Sequence, residues 1–326
     1  MMPLIAIDEL KRTVSDAWDS PVADEVAAAW GYPPGTAKWW RSSASHVFVL
    51  PDPDGKRYLR FVPDAYAGAE RFAAVSAVMD RLAGAGADVV RPVPARSGAL
   101  TATVPTPLGP MHAMVVEAAP GGERDVEDLT EAGARDWGRA LAAVHRAAEG
   151  IDVALPEAFT ELAKVPDRFA GDPALVAAAA RLSDRLAGLP RSGFGIVHGD
   201  FELDNLAWSG SRATAFDFDE AARSWYAADI AFALRDLTGP DGEPGAAHRG
   251  RFDAFLAGYR GMRPFGDDER AHLRLFAGVH AVCSLVRIAA AVEGAGGDGW
   301  MGELRSSLDD LSRSHRKLAT AVAADL

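Results

Sequence analysis

Two aspartates and one asparagine near the middle of the chain have the residue types and the spacing that phosphoryl transfer requires. Asp200 and Asn205 lie in the stretch His198-Gly-Asp-Phe-Glu-Leu-Asp-Asn205, and Asp217 follows shortly afterwards. Mg²⁺ takes a few oxygen ligands from a protein and completes its coordination shell with phosphate oxygens and water. An amide and one carboxylate can supply such ligands, while the other carboxylate orients an acceptor hydroxyl and takes its proton. These residues therefore predict phosphoryl transfer from a magnesium-bound nucleotide.

The segment between these residues predicts the element that would position them. Leu206-Ala-Trp208 and Ala213-Thr-Ala-Phe216 are typical of two short strands, and a Ser-Gly-Ser turn separates them. An antiparallel hairpin brings its two open ends together. We therefore expect Asp200, Asn205 and Asp217 to converge. The alternative is that the two aspartates are only turn or capping residues.

The rest of the chain divides into a β-rich first third and a mostly helical remainder. Strands are predicted at residues 38–41, 45–50, 57–62, 89–93, 99–104 and 111–117, with helices at 5–30 and 67–83. After a short connector near residues 117–122, further helices are predicted at 137–148, 175–187, 252–259, 267–293 and 301–323. The predicted hairpin is a β-rich island inside this helical part.

The pattern His198-Gly-Asp-x-x-x-x-Asn205, followed by Phe216-Asp-Phe-Asp219, resembles the catalytic loop and metal motif of the aminoglycoside phosphotransferase family. That family is related to protein kinases and includes choline and homoserine kinases. Weaker similarities lie in the hinge-like stretch Met114–Gly121, the helix Trp137–His145 and the segment Ala228–Ala231. The resemblance covers roughly residues 36 to 290. It implies an α+β, protein-kinase-like bilobal fold with an N-lobe (1–116), a hinge (117–122) and a helical C-lobe (123–326).

The resemblance implies a role for each residue that matches the two motifs. Asp200 would be the catalytic base that orients the acceptor, and His198 would hold the catalytic loop through hydrogen bonds. Asn205 and Asp217 would bind Mg²⁺, with Asp219 as a further candidate ligand.

The resemblance also implies a nucleotide site for ATP, with GTP as an alternative. Backbone groups of Glu117 and Ala119 would meet the base. Arg60 stands on the third strand, where the family usually has lysine, and its planar guanidinium can hold phosphate. Ser43 and Ser45 occupy the phosphate-covering turn in place of glycines.

At two other positions, the match between this sequence and the family pattern is less direct. The glutamate that usually pairs with the strand lysine has only Glu70 as a counterpart, near the start of the next helix, while Val75 occupies the helix middle. The Lys–Glu ion pair is therefore either rebuilt as Arg60 with Glu70 or lost. Asp229 would be a structural carboxylate near the catalytic loop.

The residues around the two motifs lead to a hypothesis about the acceptor. Glu202 and Asp204 adjoin the catalytic aspartate, and Glu220 follows the metal motif. These acids favour a hydroxylated small molecule that is cationic, and Trp225 could stack on its ring or its charge. The alternative is that Glu202 and Asp204 face solvent and that Trp225 belongs to the core.

Composition excludes several classes of protein. The chain has 326 residues, of which 48% are hydrophobic and 25% charged, and its net charge is -12. Such an acidic balance argues against nucleic-acid binding. Cys283 is the only cysteine, so no intrachain disulfide can form. No signal-peptide core and no membrane span is predicted, and we expect a cytoplasmic protein without a membrane partner. The sequence does not indicate an oligomeric state.

Three functions remain open at this point. The first is a small-molecule kinase, for which residues 250–326 provide helices that could wall an acceptor pocket. The second is a bacterial Ser/Thr protein kinase of the same wider family, although Ser224 is the only clear phosphosite between Asp217 and Asp229. The third is a catalytically weak nucleotide-binding regulator, against which the intact Asp200, Asn205 and Asp217 argue.

Overall fold

A computed structural model describes residues 1–53, 55–296 and 299–326 of the chain. The chain divides into two compact units. The first, which we call the sheet unit, comprises Met1–Ala119, Ile151–Leu155 and Ala291–Gly296. The second, the helical unit, comprises Pro120–Gly150, Pro156–Ala290 and Gly297–Leu326. The first division falls inside the predicted hinge, and two short later segments join the sheet unit rather than the predicted C-lobe.

Among its described residues, the sheet unit contains three α-helices and six strands. In chain order they are α1 (Leu4–Lys11), α2 (Pro21–Ala27), β1 (Lys38–Ser42), β2 (His46–Asp52), β3 (Gly55–Pro63), α3 (Ala69–Gly84), β4 (Pro92–Val93), β5 (Thr101–Thr106) and β6 (Gly109–Glu117). The strands form one antiparallel sheet in the order β1-β2-β3-β6-β4, and β5 also pairs with β6. This sheet is the β-rich first third that the sequence predicts.

The two N-terminal helices and one face of the sheet form a common core. Leu10 of α1 and Val26 of α2 are buried in the same cluster as Phe48 of β2 and Phe61 of β3. The rings of Phe48 and Phe61 stack with their centroids 5.6 Å apart. Alternate residues of a strand face opposite sides, so this arrangement leaves Val47 and Arg60, a directly paired couple, on the other face.

The helical unit carries the remaining elements. They are α4 (Glu131–Ala148), α5 (Val165–Arg168), α6 (Pro173–Ala187), β7 (Phe194–Val197), β8 (Leu206–Ser209), β9 (Arg212–Ala215), β10 (Ala222–Trp225), α7 (Tyr226–Ala233), α8 (Arg249–Arg260), α9 (Asp267–Ala271), α10 (Leu273–Ala291) and α11 (Gly299–Ala324). Strands β8 and β9 form the predicted hairpin, and β10 pairs with β7 in a second small antiparallel ladder that the sequence did not predict.

Helix α4 packs against α8 at a very short distance. A Cβ added to Gly138 would lie 2.0 Å from the carbonyl oxygen of Phe255, and one added to Gly258 would lie 2.0 Å from that of Arg135. Only glycine fits at either position. Helix α4 begins six residues before its predicted start because Thr130 caps it, accepting a hydrogen bond from the backbone N–H of Gly133.

The long C-terminal helix that the sequence predicts at residues 267–293 is two helices, α9 and α10, that meet at His272. Among the described residues, the stretch Asp267–Ala291 is apolar and long enough to cross a membrane by composition, which the sequence analysis did not expect. However, 61% of its apolar 18-residue window is buried inside the protein, as is usual for the core helix of a globular unit.

Candidate active site

The catalytic loop connects β7 to β8 and contains Asp200 and Asn205. The side-chain amide of Asn205 donates to the backbone carbonyl of Asp200 across 2.9 Å and to Oδ2 of its carboxylate across 3.0 Å. Both N–H groups of the amide are therefore directed at Asp200. The oxygen Oδ1 is the remaining polar atom of Asn205, and it is an atom that can ligate a cation.

The β8–β9 hairpin brings the metal motif back to this loop. Leu206 pairs with Ala215, and the backbone N–H of Phe216 donates to the carbonyl of Asn205 across 3.0 Å. Asp217 follows directly, and its negative charge acts on Asp200. The structure thus brings together the three residues that the spacing predicted would converge.

Asp217 has an uncommon backbone conformation, with φ 65° and ψ 63°. A non-glycine residue in this left-handed region costs on the order of 1 kcal/mol, and aspartate tolerates it better than most residues. Such conformations persist only where the surrounding contacts fix them, and they are frequent at functional sites. A 3-10 turn, Phe218–Glu220, begins immediately after it.

His198 links the catalytic loop to the metal motif. Its Nε2 donates to the carbonyl of Phe216 across 3.0 Å, and its Nδ1 accepts from the backbone N–H of Asp200 across 3.3 Å. Its ring also packs on Phe218, with centroids 4.2 Å apart. The next residue, Gly199, has φ 83°, and a Cβ there would lie 2.3 Å from the carbonyl oxygen of Glu220. Glycine is therefore required where the two loops touch.

Asp229, on α7, holds the loop from its buried side. Its two carboxylate oxygens accept the backbone N–H groups of His198 and Gly199 across 2.9 and 2.8 Å. His145 of α4 donates to the same carboxylate across 2.9 Å, and the hydroxyl of Tyr259 lies 2.8 Å from the other ring nitrogen. Burial by itself would raise the pKa of Asp229, but His145, His198 and these hydrogen bonds hold it below its ordinary value.

Arg235, which follows α7, is a site residue that the sequence analysis missed. Its Nη1 donates to Oδ1 of Asp200 across 3.1 Å, and its Nη2 forms an ion pair with Glu202. The guanidinium also stacks on Phe232, 4.4 Å from the ring centroid. Burial raises the pKa of Asp200, and the charge of Asp217 adds to this, whereas Arg235 and His198 act to lower it.

The residues predicted to face the acceptor have different surroundings. Glu202 is paired with Arg235, and Glu220 forms an ion pair with Arg287 across 2.8 Å. Asp204 is exposed. Trp225 lies on β10, where its Nε1 donates to the carbonyl of Pro190 and its ring packs against two phenylalanines, Phe194 and Phe276.

The sheet unit carries the residues predicted to hold the nucleotide. Arg60 is 6% exposed and donates through Nε and Nη2 to the hydroxyl of Ser45 across 3.3 and 3.1 Å. The carbonyl of Ser43, in the same turn, accepts from the backbone N–H of Met2 across 2.8 Å. Glu70 is exposed at the start of α3.

Two other predicted nucleotide contacts lie at the end of the sheet unit. Glu117 is the last residue of β6, and its backbone N–H donates to the carbonyl of Arg91 across 2.9 Å. Its own carbonyl remains the group with which it could meet a base. Ala119 is the last residue of this segment of the sheet unit.

The donor set of the helical unit fits a hard divalent cation. Asn205 offers an amide oxygen and Asp217 a carboxylate, and both are the oxygen ligands that Mg²⁺ and Ca²⁺ prefer. Among the described residues, no cluster of three or more His, Cys, Asp and Glu side chains could hold a metal by itself. A site with two protein ligands suits an ion that arrives with a nucleotide and keeps its phosphate and water ligands.

Comparison with known proteins identifies the family of the chain. A profile of the phosphotransferase enzyme family (APH) matches residues 40–265. Amicoumacin kinase from Bacillus subtilis (strain 168) is 25% identical over 230 residues, which cover 67% of this chain and 68% of that protein.

Two solved structures show the same fold. Amicoumacin kinase hAmiN, in complex with AMP-PNP, Ca²⁺ and Ami, has a TM-score of 0.76 and 17% identity, and the match covers 94% of this chain and 96% of that one. The microcompartment-associated aminopropanol kinase has a TM-score of 0.69 and 18% identity, with 90% and 94% covered.

These likenesses confirm the predicted α+β, protein-kinase-like fold and the predicted class of enzyme, a kinase with a hydroxyl group as acceptor. The family profile spans more than half of the chain and includes both the catalytic loop and the metal motif. The chain therefore belongs to the phosphotransferase enzyme family.

Proposed function

We propose that this phosphotransferase transfers the γ-phosphoryl group of magnesium-bound ATP to a hydroxyl of a small molecule, with Asp200 as the catalytic base. One observation carries the proposal. Asn205 directs both of its N–H groups at Asp200, so that the same amide fixes the base and keeps an oxygen for a cation. Asp217, at the other end of the hairpin, supplies the second oxygen ligand.

Asp200 would act on the acceptor directly. Asn205 binds one of its carboxylate oxygens and Arg235 the other, so the carboxylate has a fixed orientation while each oxygen keeps a second lone pair. The acceptor hydroxyl donates to this carboxylate. As the acceptor oxygen bonds to the γ-phosphorus, the bond to the β–γ bridging oxygen breaks, ADP leaves and the hydroxyl proton passes to Asp200.

Asn205 and Asp217 would hold the divalent ion, with Asp219 as a further ligand. When bound, Mg²⁺ neutralises charge on the β- and γ-phosphates and so lowers the barrier to transfer. The strained backbone of Asp217 supports this role, because such strain is typical of functional residues. His198 would act indirectly, since it ties the carbonyl before Asp217 to the backbone of the catalytic loop.

The sheet unit would bind the nucleotide. We propose that Arg60 and the turn residues Ser43 and Ser45 hold phosphate oxygens, and that backbone groups of Glu117 and Ala119 bind the base of ATP, with GTP as the alternative donor. The burial of Arg60 supports this role, because an arginine that is 6% exposed is positioned for a specific partner rather than for solvent.

The acceptor would be a hydroxylated small molecule, as amicoumacin and aminopropanol are the compounds named for the related kinases. The ion pairs of the site reduce the number of acids that are available to bind a cationic acceptor. Glu202 and Glu220 are each paired with an arginine, Arg235 and Arg287, whereas Asp204 is the exposed acid of the catalytic loop. We keep a cationic acceptor as the first class to test, and we expect the enzyme to act in the cytoplasm.

The experiment is a panel of acceptors tested for ADP release with Mg-ATP, followed by ³¹P NMR of the product. The panel contains aminoglycosides, peptide antibiotics, amino alcohols, neutral sugars and hydroxy acids, and Asp200→Asn is the matched inactive variant. Acceptor-dependent ADP release that Asp200→Asn lacks supports the proposal. Failure of the wild-type chain to bind Mg-ATP at all would overturn it, and turnover confined to neutral or anionic acceptors would overturn the charge hypothesis alone.

A further inference from the structure

Arg287, on α10, lies between two glutamates that come from different parts of the helical unit. Its Nη1 forms an ion pair with Oε2 of Glu220 across 2.8 Å, and its Nε donates to Oε1 of Glu161 across 3.1 Å. Glu161 belongs to the 3-10 helix Thr160–Lys164. The side chain of Arg287 is only one-third exposed, so solvent screens these contacts less than it screens fully exposed surface ion pairs.

Glu220 is the last residue of the 3-10 turn that begins after Asp217. Its backbone carbonyl lies against Gly199 of the catalytic loop, so closely that a Cβ on Gly199 would be 2.3 Å away. The backbone of Glu220 therefore packs against the catalytic loop, while its side chain is paired with Arg287.

The backbone of Asp217 is in the left-handed region, so contacts on both sides must hold it there. On the N-terminal side, the carbonyl of Phe216 accepts from His198. On the C-terminal side, the ion pair between Glu220 and Arg287 is a side-chain contact that ties the turn to α10. Loss of either contact would allow the segment to relax towards ordinary backbone angles.

We propose that Arg287 is a positioning residue of the metal site, which through Glu220 holds the Asp217 carboxylate in the conformation that binds the divalent ion. The inference rests on the proposed function, because it takes Asp217 as a metal ligand. Arg287 would act through Glu220 rather than on the ion itself, and Glu161 orients its guanidinium from the far side.

The charges of the three residues agree with this role. Burial acts to lower the pKa of Arg287, but Glu220 and Glu161 outweigh it and raise that pKa above its ordinary value. Burial acts to raise the pKa of Glu161, and Arg287 overcomes this and lowers it. Arg287 and Glu161 are therefore charged at neutral pH, and the removal of Arg287 would leave Glu161 and Glu220 without the cation that both of them contact.

The test compares ATP binding with and without Mg²⁺ by calorimetry. In Arg287→Gln, we expect the Mg²⁺-dependent gain in ATP affinity to fall about tenfold, as is usual when a residue that orients a metal ligand is lost. ATP affinity without metal should be unchanged. Glu220→Gln should give the same result, and it tests the same ion pair if Arg287→Gln does not fold. Arg287→Lys should recover part of the loss.

The matched control is Arg316→Gln, which removes an ion pair of similar length, 2.8 Å to Asp172, on another helix of the same unit. It should lower the melting temperature without changing the metal dependence. Folded Arg287→Gln and Glu220→Gln variants that keep the wild-type metal dependence would overturn the inference. Absence of any metal dependence in the wild-type chain would instead overturn the proposed function, so the two failures are distinct.

Discussion

Arg235 donates to Oδ1 of Asp200 across 3.1 Å, while Asn205 donates to Oδ2 of the same carboxylate. The two oxygens of the proposed base are thus held from opposite sides by a cation and an amide. Glu202 binds the other end of the Arg235 guanidinium, and Phe232 supports its flat face. The orientation of Asp200 therefore depends on residues well outside the catalytic loop.

Arg235→Ala should lower kcat by up to about 100-fold, because a base displaced by about 1 Å loses that much. The KM for ATP should change little, since Arg235 contacts Asp200 and Glu202 rather than the residues proposed to hold the nucleotide. Arg235→Lys keeps the charge but loses the two-pronged contact, so it should recover only part of the rate. Steady-state kinetics with the best acceptor of the panel measure this, and an unchanged kcat in Arg235→Ala would contradict it.

Asp200→Asn should nearly abolish turnover and leave nucleotide affinity intact. An acid–base group typically contributes about 10²–10⁴ in rate, and asparagine cannot take the hydroxyl proton. The substitution keeps the shape of the side chain, whose remaining oxygen can still accept from the amide of Asn205 while its NH2 group faces Arg235. Asp253→Asn, on the surface of α8, is the control and should retain full activity. Near-parental ADP release by Asp200→Asn would rule out the assignment.

Asp217→Asn and Asp217→Ala should both abolish the effect of Mg²⁺ on nucleotide binding. Asparagine tolerates the left-handed backbone about as well as aspartate, whereas alanine does not. Only Asp217→Ala should therefore also lower the free energy of unfolding, by about 1 kcal/mol. Calorimetry and thermal melting separate the two effects, and wild-type Mg-ATP affinity in Asp217→Asn would exclude this residue as a metal ligand.

Arg60→Ala should weaken ATP binding, and Arg60→Lys should partly restore it, because lysine keeps the positive charge without the planar fork. AMP, which lacks the β- and γ-phosphates, should bind both variants and the wild type alike. If Arg60→Ala binds ATP normally, another cation of the sheet unit must hold the phosphates.

Stability should fall as the pH is lowered below about 6.5. Burial lowers the pKa of His46 to about 3 and that of His280 to about 4. Both histidines take up a proton near pH 6.5 in the unfolded chain but stay neutral in the folded one. Below about pH 6.5, and down to the folded pKa, each therefore lowers the free energy of unfolding by about 1.4 kcal/mol per pH unit. Urea unfolding at pH 7.0 and 5.0 measures the loss, and His46→Gln should reduce the slope. An equal free energy of unfolding at pH 7.0 and pH 5.0 would contradict the lowered pKa values of His46 and His280.

Local spacing was sufficient to predict the centre of the site. Asp200, Asn205 and Asp217 lie within one loop–hairpin–loop unit, so antiparallel pairing alone makes them converge. Arg235 and Arg287 could not be predicted in this way. Each lies on a different helix, far in sequence from the residue that it contacts. Their roles depend on packing between elements, which no local pattern records.

The second ladder was missed for a different reason. Ala222-Arg-Ser-Trp225 lacks the alternation of apolar and polar residues that marks a strand, and it pairs with Phe194–Val197 only because the turn after Asp217 directs it there. The predicted start of α4 was late because the hydrophobic pattern begins inside the helix, whereas the first turn is defined by the Thr130 cap.

The close approach of α4 and α8 has a consequence for anyone who reads function from tolerance to substitution. Gly138 and Gly258 each lie against a backbone carbonyl of the opposite helix, so no residue with a side chain fits at either position. In a library that randomises every codon and selects for resistance or growth, both glycines will be as depleted of variants as Asp200. Two positions without any chemistry will then appear in the same class as the catalytic base, and intolerance alone will not separate architecture from catalysis in this chain.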